Sequence, residues 1–145
     1  MTALRFRNLD VSPDEPVEAW PFEGVLAAVE RGTLPDWQRL AASIDADPWG
    51  RVAHYVTEAL QVVQRYGAGP LLTSVIERAR ARAEASERAE VAARVEALVA
   101  LSGLSRQAFA ERIGTSASRL STYLCGKVVP SAALMVRMER IASKS

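Results

Sequence analysis

Cysteine is all but missing. The 145 residues hold one, Cys125, so no intramolecular disulfide can form and a reducing, cytoplasmic setting is expected. Histidine is equally scarce: His54 stands alone, without the cysteines or second histidine that a metal site needs, and reads as a surface or half-buried structural residue. No glycine-rich phosphate loop and no paired acid–base or ligand spacing occurs, so catalytic, metal and cofactor residues are all expected to be none, and the chain does not read as an enzyme. No apolar run approaches the ~18 residues of a membrane span. The start, Met-Thr-Ala-Leu-Arg-Phe-Arg, lacks the apolar core of a secretion signal. Runs of β-branched residues are few, whereas alanine and arginine are plentiful, which favours an all-α protein. Hydrophobic residues make up 49%, enough for packed cores and too many for wholesale disorder.

Net charge is only +1, but it is unevenly spread. Residues 1–69 carry six arginines against ten acids, and residues 70–145 carry 12 basic residues against seven acids. A basic C-terminal half beside an acidic N-terminal half is the asymmetry expected when one part faces phosphates and the other does not.

Along the chain, Leu4 and Phe6 alternate with Arg5 and Arg7, which predicts a short extended arm. It either lies on its own domain or on a second copy, or it reaches a minor groove; the first is preferred. Phe22, Val25, Leu26 and Val29 share one face of a helix ended by Gly32. Leu34-Pro35-Asp36-Trp37 starts a second helix, proline being suited to a first turn, with Trp37, Leu40, Ala41 and Ile44 inward. Asp47-Pro48-Trp49 is expected to start a third in the same way, with Val52, Tyr55, Val56, Ala59, Leu60 and Val63 as its stripe. The three tryptophans, Trp20, Trp37 and Trp49, are expected in the core of this unit, which is also where a small-molecule pocket could lie. Gly67-Ala68-Gly69-Pro70 is expected to break the pattern.

From Pro70 to Leu101 there is no glycine and no further proline, which predicts one helix of about 30 residues, about 45 Å long. It is either continuous or broken near Ser86. Leu71, Leu72, Val75, Ile76 and Ala79 are expected to pack at its start, and Val91, Val95, Leu98, Val99 and Leu101 at its end. Glu84–Arg88 and Glu90–Arg94 are spaced as acid-first i,i+4 pairs. Arg78, Arg80 and Arg82 cluster as a phosphate or partner patch or, preferably, as a solvated face with local salt bridges. Ala79, Ala83, Ala85 and Ala89 offer a small-residue face to the same helix of another subunit.

The most informative stretch is Ser105 to Ser131. Ser105 is a plausible N-cap, Phe109, Ala110 and Ile113 share a helical face, and Gly114 sits where that helix must end. Ser116 can cap a second helix with Leu120, Tyr123 and Leu124 inward and Ala117, Ser118, Arg119, Ser121 and Thr122 outward. Gly126 closes it, Lys127 follows, and Pro130-Ser131 opens a last helix with Leu134, Met135, Met138 and Ile141 buried.

That order resembles the helix-turn-helix of the Xre family, the group that includes lambda repressor and Cro. The matching positions are Leu104, Ser105, Phe109, Ala110, Ile113, Gly114, Thr115, Ser116, Leu120, Ser121, Gly126, Lys127, Pro130 and Ser131, within a likeness running from about Val91 to Ala142. It implies a lambda-repressor-like domain for the last third of the chain, and with the helices read above it gives an all-α molecule in which a small N-terminal helical unit is joined by a long helix to that domain. The expected boundaries are 1–69 for a dimerisation or partner unit with its extended arm, 70–90 for a linking helix and 91–145 for the DNA-binding domain. In this family the second motif helix lies in the major groove, so the resemblance makes Ala117, Ser118, Arg119, Ser121 and Thr122 candidate readers. Ser105, Arg106, Gln107, Ser116 and Lys127 become candidate phosphate contacts. Arg119, the only long donor among the readers, goes either to a guanine or to a phosphate.

The implied function is a sequence-specific transcriptional regulator that binds a palindromic operator in double-stranded DNA as a homodimer, in the cytoplasm and on the nucleoid. The alternative is an antitoxin or adaptor whose acidic N-terminal domain grips a protein partner while the C-terminal domain binds DNA. No membrane is expected.

Overall fold

The structure, a computed structural model, describes residues 3–63 and 68–144, and among these it is all helical, with seven α-helices and no strand. The expected all-α class is thus found. The chain divides into two compact units, Met1–Ala83 and Glu84–Ser145, each with its own apolar cluster.

In the first unit a 3-10 turn at Val17–Ala19 precedes α1 (Phe22–Arg31), α2 (Leu34–Ala46) and α3 (Arg51–Val62), and the opening turns of α4 (Ala68–Ser102) join the same core. Thr33 starts α2, where Asp36 reaches back to accept from the Thr33 amide at 2.9 Å and Pro35 occupies the first turn. Trp20, Val25, Leu40, Ile44, Val56 and Leu72 are fully buried. The N-terminal arm lies on this core through Leu4, Phe6 and Val11, with the Phe6 ring set edge-on against Trp20 at 5.0 Å.

Arginines hold the unit's loops, and they do so mostly through backbone carbonyls. Arg39 donates to Pro13 O (2.7 Å) and Glu15 O (2.8 Å) while lying over the Trp20 ring. Arg31 donates to Arg5 O, Arg51 to Trp20 O, and Arg80 to Pro48 O. Of the middle-helix arginines, Arg78 turns to Ser74, Arg80 covers Trp49, and Arg82 pairs with Asp45 at 2.8 Å. Local ties thus account for that cluster.

Several expectations are corrected here. Asp47-Pro48-Trp49 does not start α3: the Gly50 amide turns back to Asp47 O, Gly50 caps the helix, and α3 begins at Arg51. Trp49 consequently stays 51% exposed instead of entering the core. Of the Gly-Ala-Gly-Pro breaker, Gly67 lies outside the described residues, but Ala68, Gly69 and Pro70 are already helical, because proline in a first turn forfeits an amide that has no partner anyway. Leu71 (42% exposed) and Leu101 (68%) turn away from the cores. Ala79 is absorbed by its own core and is not available to another subunit, although Ala85 and Ala89 are exposed.

α4 runs unbroken through Ser86. On it Glu90 and Arg94 close at 2.6 Å, whereas among the described residues no ion pair joins Glu84 to Arg88. His54 is exposed and meets Glu58 at 3.2 Å.

In the second unit the end of α4 packs with α5 (Arg106–Ile113), α6 (Ala117–Leu124) and α7 (Ala132–Ser143). Val95, Phe109, Ala110, Leu120 and Met138 have no exposed surface, with Ile113 nearly so. Ser102 closes α4, its hydroxyl donating to Val99 O and accepting from the Leu104 amide.

Candidate nucleic-acid interface

Each helix of the second unit after α4 begins with a serine that satisfies a free amide. Ser105 Oγ accepts from the Ala108 amide, Ser116 Oγ from Arg119 and Ser131 Oγ from Leu134, each at 3.1 Å. A cap uses only a lone pair, so each hydroxyl proton stays available to a further acceptor. Ser105 and Ser116 are exposed, as that use requires.

The turn between α5 and α6 is set by Gly114 at φ +82°, the left-handed region that glycine enters without steric cost. Its geometry also satisfies the end of α5: the Thr115 amide reaches Ala110 O at 2.9 Å and the Gly114 amide reaches Glu111 O at 3.1 Å. Arg137, from α7, donates to Ile113 O at 3.1 Å and so closes another free carbonyl of the same helix end. Ala110 is fully buried in the core to which α5 and α6 both contribute, where a larger side chain would have to displace its neighbours.

This frame sorts the residues of α6. Leu120 and Tyr123 face the core, whereas Ala117, Ser118, Arg119 and Ser121 are exposed. Thr122 was expected outward but is half-buried, and its hydroxyl donates to Arg119 O at 2.6 Å; it therefore offers a methyl edge more than a free hydroxyl. Arg106 and Gln107 are exposed at the start of α5, and Lys127 is exposed just beyond α6, where its amide reaches back to Thr122 O at 3.0 Å. The ten candidate positions therefore fall on the start of α5, the outer face of α6 and the loop after it.

Two contributors escape a reading of the residues as core or surface. Tyr123 is 4% exposed, yet its hydroxyl accepts from Arg119 Nε at 3.1 Å. Arg137 acts on the turn through Ile113 O. The i,i+4 spacing of Arg119 and Tyr123 was the available signal for the first; nothing in the sequence marks the second.

Electrostatically, residues 103–144 carry Arg106, Arg112, Arg119, Lys127, Arg137, Arg140 and Lys144 against Glu111 and Glu139 alone, and all seven cations are exposed. Val128 and Val129, also exposed, make the loop after Lys127 apolar. Cys125 is exposed at the end of α6, its thiol directed to Thr122 O.

The first unit offers a cavity of about 730 Å³, bordered by Leu4, Arg5, Phe6, Arg7, Arg31 and Thr33; none of the three tryptophans lines it. Among the described residues, no cluster of three histidine, cysteine or carboxylate groups is placed to hold a metal ion, and no helix is long and apolar enough to cross a membrane. Comparison with protein-family models, with curated proteins and with solved structures finds no match.

Proposed function

We propose that this chain is a sequence-specific DNA-binding transcriptional regulator of the Xre type, acting as a homodimer on a palindromic operator. The observation that carries the proposal is α6: an exposed face of Ala117, Ser118, Arg119 and Ser121, backed by buried Leu120 and Tyr123, on a helix capped by Ser116. A helix of that kind fits a major groove with its first turn nearest the base edges.

The roles divide by chemistry. Arg106, Gln107, Lys127 and the free hydroxyl protons of Ser105 and Ser116 meet phosphate oxygens and fix the register. Arg119 and Ser121 present donors to base edges, while the methyl groups of Ala117 and Thr122 suit a thymine methyl. With so short a list of readers, part of the selectivity falls to the shape of the duplex. Two protomers would engage half-sites about 34 Å apart, one turn of the double helix. In this proposal residues 91–145 bind DNA, 70–90 link, and 1–69 dimerise or hold a partner.

The test is selection of bound duplexes from a random pool. Enrichment of a two-fold symmetric motif, with affinity falling steeply as salt rises, is the expected result. Failure of any sequence to enrich, together with salt-insensitive binding, would overturn the proposal.

A second reading, the adaptor, is favoured by one observation. The first unit directs Arg31, Arg39, Arg51 and Arg80 to carbonyl oxygens, and among the described residues Asp45 is the single carboxylate there paired with an arginine. Glu18, Glu23 and Glu30 are exposed and are left to meet solvent or a basic protein. Co-purification of a basic partner that releases when Glu18, Glu23 and Glu30 are changed to glutamine would support this reading, and retention of the partner by that variant would exclude it.

A further inference from the structure

We infer that Tyr123 is a positioning residue that presents Arg119 end-on to a guanine, an inference that rests on the DNA-binding reading. The argument begins with how residue 119 is held. Its amide donates to Ser116 Oγ at 3.1 Å, its carbonyl accepts from Thr122 Oγ1 at 2.6 Å, and its side-chain Nε donates to Tyr123 Oη at 3.1 Å. Tyr123 is itself fixed, because its ring is 4% exposed in a core with Phe109, Ile113, Leu120 and Met138. The guanidinium is thereby tied to the packed interior although the arginine is exposed.

Which atom is tied decides what the side chain can recognise. A guanidinium has five N–H groups in a rigid fork. With Nε engaged by Tyr123, the outer edge formed by Nη1 and Nη2 is left, and that edge carries two parallel donors. Guanine offers two parallel acceptors, O6 and N7, in the major groove; adenine replaces one of them with a donor. A phosphate group can also accept two of these N–H groups, but it does so from many directions, so it gains less from an orientation fixed in advance. Fixing Nε in advance also removes rotamer freedom before binding and not during it. Guanine readout therefore makes more use of the Tyr123 bond than phosphate contact does.

The test uses the full-length chain and duplexes selected from a random pool. The base pair at which Arg119→Ala loses its preference defines the position read by Arg119, and guanine is the expected base there. Tyr123→Phe keeps the ring and deletes only the hydroxyl. It should lower the preference for guanine at that one position about three- to tenfold, the scale of one ordinary net hydrogen bond. Preferences elsewhere and the salt dependence should not change. A merely structural role for Tyr123 would weaken all sequences alike.

Should Tyr123→Phe not fold, as judged by its thermal unfolding, Arg119→Lys serves in its place. It is a surface change that removes the fork and keeps the charge, and it should also lose the guanine preference. An undiminished guanine preference in Tyr123→Phe or in Arg119→Lys overturns the inference. So does an Arg119→Ala effect that is uniform across sequences and lowers the salt slope by about one, the mark of a phosphate contact. Lack of any enriched sequence with the wild-type chain overturns the DNA-binding reading and this inference together; enrichment with an unaffected Tyr123→Phe overturns this inference alone.

Discussion

Residue 114 has almost no choice but glycine. At φ +82° a side chain costs about 1–2 kcal/mol through contact of Cβ with its own backbone. A Cβ there would meet Arg137 Nη1 at 3.5 Å, ordinary contact, so the cost is local to the peptide. Gly114→Ala is accordingly expected to lower stability by about 1–2 kcal/mol in denaturant unfolding. At the same scale, Lys127 has an exposed side chain and a fixed amide. If it meets phosphate, Lys127→Ala should weaken binding to all duplexes alike and reduce the salt slope by about 0.9 in a titration of affinity against salt. Side-chain chemistry of this kind was partly legible beforehand. Serine at 105, 116 and 131 and glycine at 114 carry their roles in their covalent structure, and they stand where the pattern put them. The rotamer of Arg119 does not, because the spacing to Tyr123 permits a bond without requiring one, and the Thr122 hydroxyl turns to a carbonyl that only the folded helix presents.

Among elements, α5 carries Ala110, which has no exposed surface, into the core that it shares with α6 and α7. Ala110→Leu would have to open that core and should cost about 1–3 kcal/mol, read as a lowered unfolding midpoint without a change in denaturant slope. α4 presents the opposite situation. Its residues 84–90 are all exposed, whereas Leu72, Ile76 and Ala79 before them and Val95 after them are buried. Amide exchange is expected to be fastest in 84–90 and slowest around 72–79 and 95, because only packed turns share the stability of a core. The alanine, arginine and glutamate of this stretch made a helix predictable from propensity alone. Helix starts were less legible where proline and glycine compete. Leu34-Pro35 and Asp47-Pro48 look alike as openings, but the second is followed by Gly50, whose amide closes a turn onto Asp47 and postpones α3 to Arg51. Trp49 was displaced to the surface with it, which no count of apolar residues could anticipate.

For the molecule as a whole, two apolar clusters mean two cores, one around Trp20, Leu40 and Leu72 and one around Phe109, Leu120 and Met138. The division of charge follows the same partition, with the basic excess carried by the later residues and the acid excess by the earlier ones. The second core could be read in advance because its caps, stripes and glycines agree at short range. The first could be read only as a set of helices, since its loops are held by arginines reaching 24 to 32 positions along the chain, and such contacts leave no periodic trace. Those tethers have an asymmetric tolerance to sequence drift. A main-chain oxygen is furnished by whatever amino acid occupies the place, so Glu15 is free to vary while the guanidinium that seeks it is not. A deep mutational scan read out by protein abundance should thus show Glu15 permissive to nearly any replacement and Arg39 permissive to none, not even lysine, which carries the charge but not the fork that spans Pro13 O and Glu15 O together.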